Sequence, residues 1–152
     1  MGVQHFFELF SDDGKTHIEA QLKFIRLFSK FVQEEDQDLF MLAFTLKEFE
    51  DVLKGFKKYK SPGPDGWSVD FYLHFFELLG QDILNVIEHS RLEGRVIGAL
   101  NSTFITLIPK CDKPTTLMEY RPISLCNLIY KTISKLVAIR LKVVLDKALS
   151  KH

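Results

Sequence analysis

Residues 103–125 read TFITLIPKCDKPTTLMEYRPISL, and the fold class turns on them. Thr103 to Ile108 alternate β-branched, aromatic and aliphatic side chains and stop at Pro109, which reads as a strand leaving the core. Pro109 to Tyr120 is polar and turn-rich, and Arg121 to Leu125 reads as a short returning strand. The expected element is an antiparallel hairpin. Everything around it carries helical periodicity, so the expected class is α+β, mostly helical with one small hairpin.

Downstream, Ser124 is expected to cap a long helix in which Leu125, Leu128, Ile129, Ile133, Leu136, Val137, Leu141, Val144, Leu145 and Ala148 share an apolar face. At 1.5 Å per residue this helix would reach about 40 Å. Lys131, Lys135, Arg140 and Lys142 lie largely off that face. Upstream, Thr45 and Glu48 form the S/T-x-x-E capping box, and Leu46, Phe49, Val52, Leu53 and Phe56 follow at three- and four-residue steps. A helix from Leu46 to Lys57 is predicted. Lys60-Ser61-Pro62-Gly63-Pro64-Asp65-Gly66 then forbids helix and central strand alike, because its prolines cannot donate to either ladder. Further helices are expected over Val69–Leu79 and from Gln81-Asp82 to Glu93, with Gly94 as the stop. Another is expected over 17–32, after a turn at Asp12-Asp13-Gly14. Asp12-Asp13 and Glu34-Glu35-Asp36 read as solvated charges in polar turns.

The chain has 152 residues, 46% hydrophobic and 26% charged, enough to build a core without disulfides or metal. No apolar run approaches the roughly 18 residues needed to span a bilayer, and the N-terminus has no signal-peptide pattern. An intracellular protein is expected. Cys111 and Cys126 have no C-x-x-C or His pairing and read as reduced thiols. The phosphate, dinucleotide, zinc-protease and hydrolase motifs are all absent. His5, His17, His74, His89 and His152 show no ligand spacing.

The net charge of zero conceals a gradient. Residues 1–52 carry 5 basic and 11 acidic side chains, residues 53–109 carry 6 of each, and residues 110–152 carry 9 and 3. The cationic end suits an anionic partner, or is simply a solvated face. A hairpin would bring Lys110 and Arg121 to one edge, where a point charge and a planar fork together suit phosphate. Both could equally serve to keep the hairpin soluble. Asp65, fixed between Pro64 and Gly66, reads either as a functional carboxylate or as an Asx turn.

Three blocks then shift the balance. KSPGPDGWSVDFY (Lys60–Tyr72), LNSTFITLIPK (Leu100–Lys110) and EYRPISLCNLIYKTISKLVAIRLKVVL (Glu119–Leu145) resemble, in order, the N-terminal part of a reverse transcriptase. The type is that encoded by plant non-LTR (LINE-type) retrotransposons, and the resemblance covers about residues 45–149. It implies a fingers subdomain and first palm helix over 45–152, with 1–44 a divergent helical segment preceding the polymerase. It implies further that Lys110 and Arg121 contact an incoming dNTP. Lys60, Ser61, Gly63, Asp65 and Gly66 would lie near the template path, and Tyr130, Lys131, Lys135 and Arg140 match family positions, the three cations among them being candidate nucleic-acid contacts. The implied partners are an RNA template or RNA–DNA hybrid and dNTP, and the implied location is the nucleus.

The intact family enzyme uses Mg2+ held by palm aspartates in F-x-x-D-like and [FY]-x-D-D motifs. The sequence ends at His152 before either motif, and Phe10-Ser11-Asp12-Asp13 reads as coincidental spacing. No catalytic residue, metal ligand or cofactor is therefore expected in this fragment, and no polymerase activity of its own. The alternatives are a non-catalytic nucleic-acid-binding module and a helical interaction protein. In the latter, Leu136, Val137, Leu141, Val144 and Leu145 would be exposed and drive self-association.

Overall fold

The computed structural model describes residues 2–11 and 34–149. The predicted turn at 12–14 and helix over 17–32 lie outside the described residues. The order is α1 (Gly2–Phe10), α2 (Glu34–Met41), α3 (Leu46–Lys54), α4 (Val69–His74), α5 (Phe76–Leu92), β1 (Thr103–Pro109), a 3-10 turn (Leu117–Glu119), β2 (Tyr120–Cys126) and α6 (Leu128–Leu149). The fold is α+β, helical apart from one two-stranded sheet. Two compact units result: the described residues of Met1–Phe31 with Leu107–Pro122, and those of Val32–Thr106 with Ile123–His152. Residues 34–44, ahead of the expected polymerase boundary at 45, fall in the second unit.

That second unit is a helical core. The capping box forms as its spacing dictates: Thr45 Oγ1 accepts from the Glu48 amide at 3.1 Å, and the Glu48 carboxylate accepts from the Thr45 amide at 2.7 Å. This fixes α3 so that Phe49, Val52 and Leu53 turn inward, and all three are buried. They meet Leu84 and Ile87 of α5 and Leu128, Ile129 and Leu136 of α6.

The expected Val69–Leu79 helix breaks earlier. Phe75 leaves helical geometry (φ −101°, ψ 20°), and α5 restarts at Phe76, whose ring packs 5.4 Å from that of Phe49. Consequently α5 runs through Gln81-Asp82 unbroken. Gly80 sits inside it because a Cβ there would come within 3.3–3.4 Å of the Phe76 ring and Leu46. At the far end Gly94 adopts φ +62°, and the Arg95 amide donates to Ser90 O at 3.2 Å, closing the helix.

Three expectations are corrected. Ser124 caps nothing: β2 continues to Cys126, and α6 begins at Leu128, about 33 Å long. The apolar face of α6 is divided. Its buried stripe runs Leu128, Thr132, Leu136, Arg140 and Val144, while Val137, Leu141 and Leu145 are exposed. Steps of four choose the stripe, and a threonine and an arginine occupy it because each finds a partner. Thr132 Oγ1 donates to Leu128 O at 2.9 Å. Lastly, Glu34-Glu35-Asp36 begin a helix, not a polar turn, and Asp36 is buried and paired with Lys147 of α6 at 3.1 Å.

Among the described residues no helix is long and apolar enough to cross a membrane.

Candidate nucleic-acid interface

The hairpin sets the position of the first pair of cations. The Lys110 amide donates to Glu119 O at 2.7 Å, and Thr103 Oγ1 approaches Cys126 Sγ at 3.4 Å. Both contacts belong to one antiparallel register, which sets Lys110 opposite Glu119 and Ile108 opposite Arg121. Opposed residues and every second residue share a face. Lys110, one residue past β1, and Arg121, the second residue of β2, thus lie at the same end of the hairpin. Both are exposed. The Lys110 ammonium folds back to donate to Met118 O at 2.6 Å.

The turn that presents them is locally built. The Glu119 carboxylate accepts from the Thr115 and Thr116 amides at 2.6 and 2.9 Å. Those two hydrogen bonds, Thr116's first, hold its carboxyl below the ordinary carboxylate range. Every residue of β1 is exposed, so the hairpin offers Phe104, Ile105, Leu107 and Ile108 to solvent as well.

In the second unit, the Lys60–Gly66 loop is docked by a residue that the sequence did not single out. Asn127 lies between β2 and α6 and is buried. Its Oδ1 accepts from the Asp65 amide at 3.1 Å, and its Nδ2 donates to Ala99 O at 3.0 Å. Gly63 rests directly against it: a Cβ would lie 2.5 Å from the Asn127 amide nitrogen and Oδ1. The Gly66 amide donates to Gly63 O at 3.0 Å, closing a turn over Pro64 and Asp65. Gly66 then takes φ +74°, which glycine adopts without strain. Asp65 Oδ1 accepts from the Trp67 amide at 3.1 Å, so of its two readings the structure carries the Asx turn. Burial, and secondarily the Asp65 charge, push the Tyr72 phenol up to about 12.

The cations of α6 divide by task. Arg140 is buried. Its guanidinium donates to Leu42 O, to Leu39 O at 3.2 Å and to Ala43 O at 3.0 Å, contacts Glu48 at 3.3 Å, and lies 4.1 Å from the Phe44 ring centre. It closes the C-terminal end of α2, where carbonyls lack partners and the dipole favours a cation. Lys135 reaches Gly55 O at 3.4 Å and sits 4.7 Å from the Phe56 ring centre. Arg140 is thus committed internally rather than presented to a ligand, and Lys135 is partly so. Lys131 alone of the three has no protein partner among the described residues and lies beside the Lys60–Gly63 loop in a shared cleft. Hence the structure groups Lys131 with Lys60, Ser61 and Gly63, and groups Lys110 with Arg121.

No family model matches the chain. Over 118 residues, 78% of its length, it is 29% identical to the Transposon TX1 uncharacterized 149 kDa protein of Xenopus laevis. The chain is similar to a transposon protein. It spans 9% of that protein's length.

Among the described residues, no group of three His, Cys, Asp or Glu side chains is placed to hold a metal ion.

Proposed function

We propose that this chain is the fingers portion, with the first palm helix, of an RNA-directed DNA polymerase of non-LTR retrotransposon origin, of the type plants encode. Within it Lys110 and Arg121 clamp the triphosphate of an incoming nucleotide. What carries this reading is the antiparallel register that sets Lys110 and Arg121 on one hairpin, both exposed; a point charge and a planar fork together suit phosphate. Similarity to a transposon protein over 78% of the chain supports the origin, and the Tyr120–Leu125 block supports the type. In this reading the portion binds nucleotide and RNA–DNA hybrid and does not polymerise by itself, Phe10-Ser11-Asp12-Asp13 being a coincidental match to [FY]-x-D-D upstream of the fingers.

Fluorescence anisotropy with a labelled RNA–DNA hybrid and a fluorescent dNTP, across a salt series, tests this. The expected result is binding that weakens as salt rises and falls by tenfold or more in the Lys110→Ala, Arg121→Ala double variant. Equal binding by the variant, or Mg2+-dependent incorporation by the chain alone, overturns it.

A second reading has an observation of its own. Val137, Ile139, Leu141, Val143 and Leu145 of α6 are all exposed, and a helix apolar around most of its circumference is ordinarily covered. That surface suits contact with protein. Sedimentation velocity tests it: a concentration-dependent increase in mass, lost in Leu141→Glu, is expected, and a monomer at all concentrations overturns it.

A further inference from the structure

We infer that the free edge of β1 is a docking surface for a second copy of this chain. The second copy adds its own β1 antiparallel about a two-fold axis at Thr106, and the two hairpins become one four-stranded sheet. Such pairing needs neither the polymerase reading nor the exposed surface of α6.

Three observations select this edge. The sheet has two strands, and among the described residues no residue of β1 makes a backbone hydrogen bond outside its pairing with β2. A strand with one partner presents a row of unpaired N–H and C=O groups on its other side, a template for a further strand. Second, the two strands differ in how their edges are guarded. β2 carries Arg121 and Pro122 within Tyr120–Cys126, a charge and a missing donor, which are devices that keep an edge from pairing. β1 has neither a charge nor a glycine, and its one proline, Pro109, is its last residue. Thr103 to Ile108 are all β-branched, aromatic or aliphatic, the composition that favours strand addition.

Third, β1 is bare on both faces. Successive residues of a strand point to opposite sides, and Phe104, Ile105, Leu107 and Ile108 are each 37–58% exposed. A lone two-stranded hairpin is marginal in water, whereas three or more strands with an apolar face hold together.

The side chains of the edge choose the partner and its direction. Antiparallel pairing centred on Thr106 sets Phe104 against the second copy's Ile108, Ile105 against its Leu107, and the two Thr106 residues against each other. Aromatic with β-branched, aliphatic with aliphatic and threonine with threonine are all favourable cross-strand pairs. Lys110 then lies opposite Ser102. Parallel pairing in register would instead oppose Lys110, Asp112 and Lys113 each to its own copy, and like charges directly opposite are unfavourable. The contact is isologous and closes at two copies, because the edges left over are the two β2 strands, guarded by Arg121 and Pro122. A strand of another protein would satisfy the same backbone groups, but the self-matching side-chain pairs favour a second copy.

Sedimentation velocity of the full 152-residue chain should show a reversible monomer–dimer equilibrium. Thr106 is exposed, so Thr106→Lys and Thr106→Glu should keep the fold, which circular dichroism checks. Each sets like charges opposite one another at the two-fold axis and should raise the dissociation constant about fivefold or more. An equimolar mixture of the two should recover the dimer, and native mass spectrometry should find it to be the mixed species. In the wild type, every second amide of β1 should exchange more slowly as concentration rises, while Leu141→Glu should leave the dimer unchanged.

A monomer at every concentration leaves the edge to a strand of another protein and overturns the proposal. A mixture as dissociated as either variant alone overturns it too. A dimer kept in Thr106→Lys and lost in Leu141→Glu belongs to α6 and likewise overturns it. Hybrid binding by Lys110 and Arg121, read by anisotropy, stands or falls separately from all three.

Discussion

The helical core and the β1–β2 hairpin put similar residues to opposite uses. In the core, Phe49, Leu53 and Ile87 are fully buried, and among the described residues every buried side-chain polar atom has a partner. In the hairpin, Phe104, Ile105, Leu107 and Ile108 are as apolar, yet all are exposed. The core is thus stabilised by its own contacts, whereas the side chains of the strands contribute little to the stability of the chain that carries them. Apolar residues at such positions are free to serve an encounter with something else.

The sharpest break of this contrast is a matched pair of truncations. Phe49→Ala should cost about 3–5 kcal/mol, as for other buried phenylalanines, because it opens a cavity between α3 and α5. Phe104→Ala should change stability by less than about 0.5 kcal/mol. Urea unfolding followed by Trp67 emission measures both, and equal costs would show that the hairpin is as much a part of the core as α3.

Arg140 tests the same contrast through a polar group. Arg140→Met keeps the length of the side chain but leaves the carbonyls of Leu39, Leu42 and Ala43 without their shared donor. A loss of about 3 kcal/mol is expected from the unsatisfied groups. Arg121→Met, on the exposed hairpin face, should be neutral for stability and costly only for binding. A neutral Arg140→Met would return that residue to the list of available nucleic-acid contacts.

Gly63 gives a smaller effect with an internal control. Gly63→Ala drives a methyl into the Asn127 backbone and amide and should cost about 1–3 kcal/mol, as overpacking does. Gly98→Ala has open space around it and should be neutral. Hydrogen exchange at the Asp65 amide distinguishes a displaced loop from a tolerated methyl: faster exchange in Gly63→Ala marks the loss of its bond to Asn127.

These sites also show which parts of the structure were legible in the sequence. The Thr45–Glu48 capping box, the Gly94 stop and the hairpin were readable because each is decided within a few residues by local chemistry. Asn127 was not: it holds Asp65, 62 positions away, and Ala99, 28 away, and an asparagine before an apolar helix looks like any other. Arg140 was misplaced for a related reason. Its partners lie 92 to 101 positions upstream, so periodicity could assign it only to the polar side. Lys60, Ser61, Gly63 and Lys131 were named from the resemblance, but that they share a cleft with Lys57 and Trp67 was not legible, since these residues come together only when the loop docks on α6. By contrast, the place of Lys110 and Arg121 on one hairpin was legible, because a hairpin is the one long-range contact that a turn announces.

The gentlest test of the contrast is acid. In the core, burial raises the carboxyl of Glu48, but hydrogen bonds from Thr45 and the charge and hydrogen bonds of Arg140 outweigh it and leave the group below its ordinary value. Glu88 behaves alike: burial opposes, and the bonds from Arg91 and the Phe44 amide win. Each folded-state value is lower than the unfolded one, so each contributes stability that is present above about pH 4.5 and disappears as pH falls through the depressed folded values. Both glutamates anchor the segment between α2 and α3, Glu48 through Thr45 and Arg140, Glu88 through Phe44 and Arg91. Acid should therefore loosen that segment first, seen as amide exchange at Phe44 and Thr45 rising below pH 4.5 ahead of the amides of α5. Glu48→Gln should flatten the pH dependence of the unfolding midpoint in that range. A midpoint independent of pH from 6 down to 3 would mean that Arg140 and Arg91 hold carbonyls alone, and that the two carboxylates add nothing to the core.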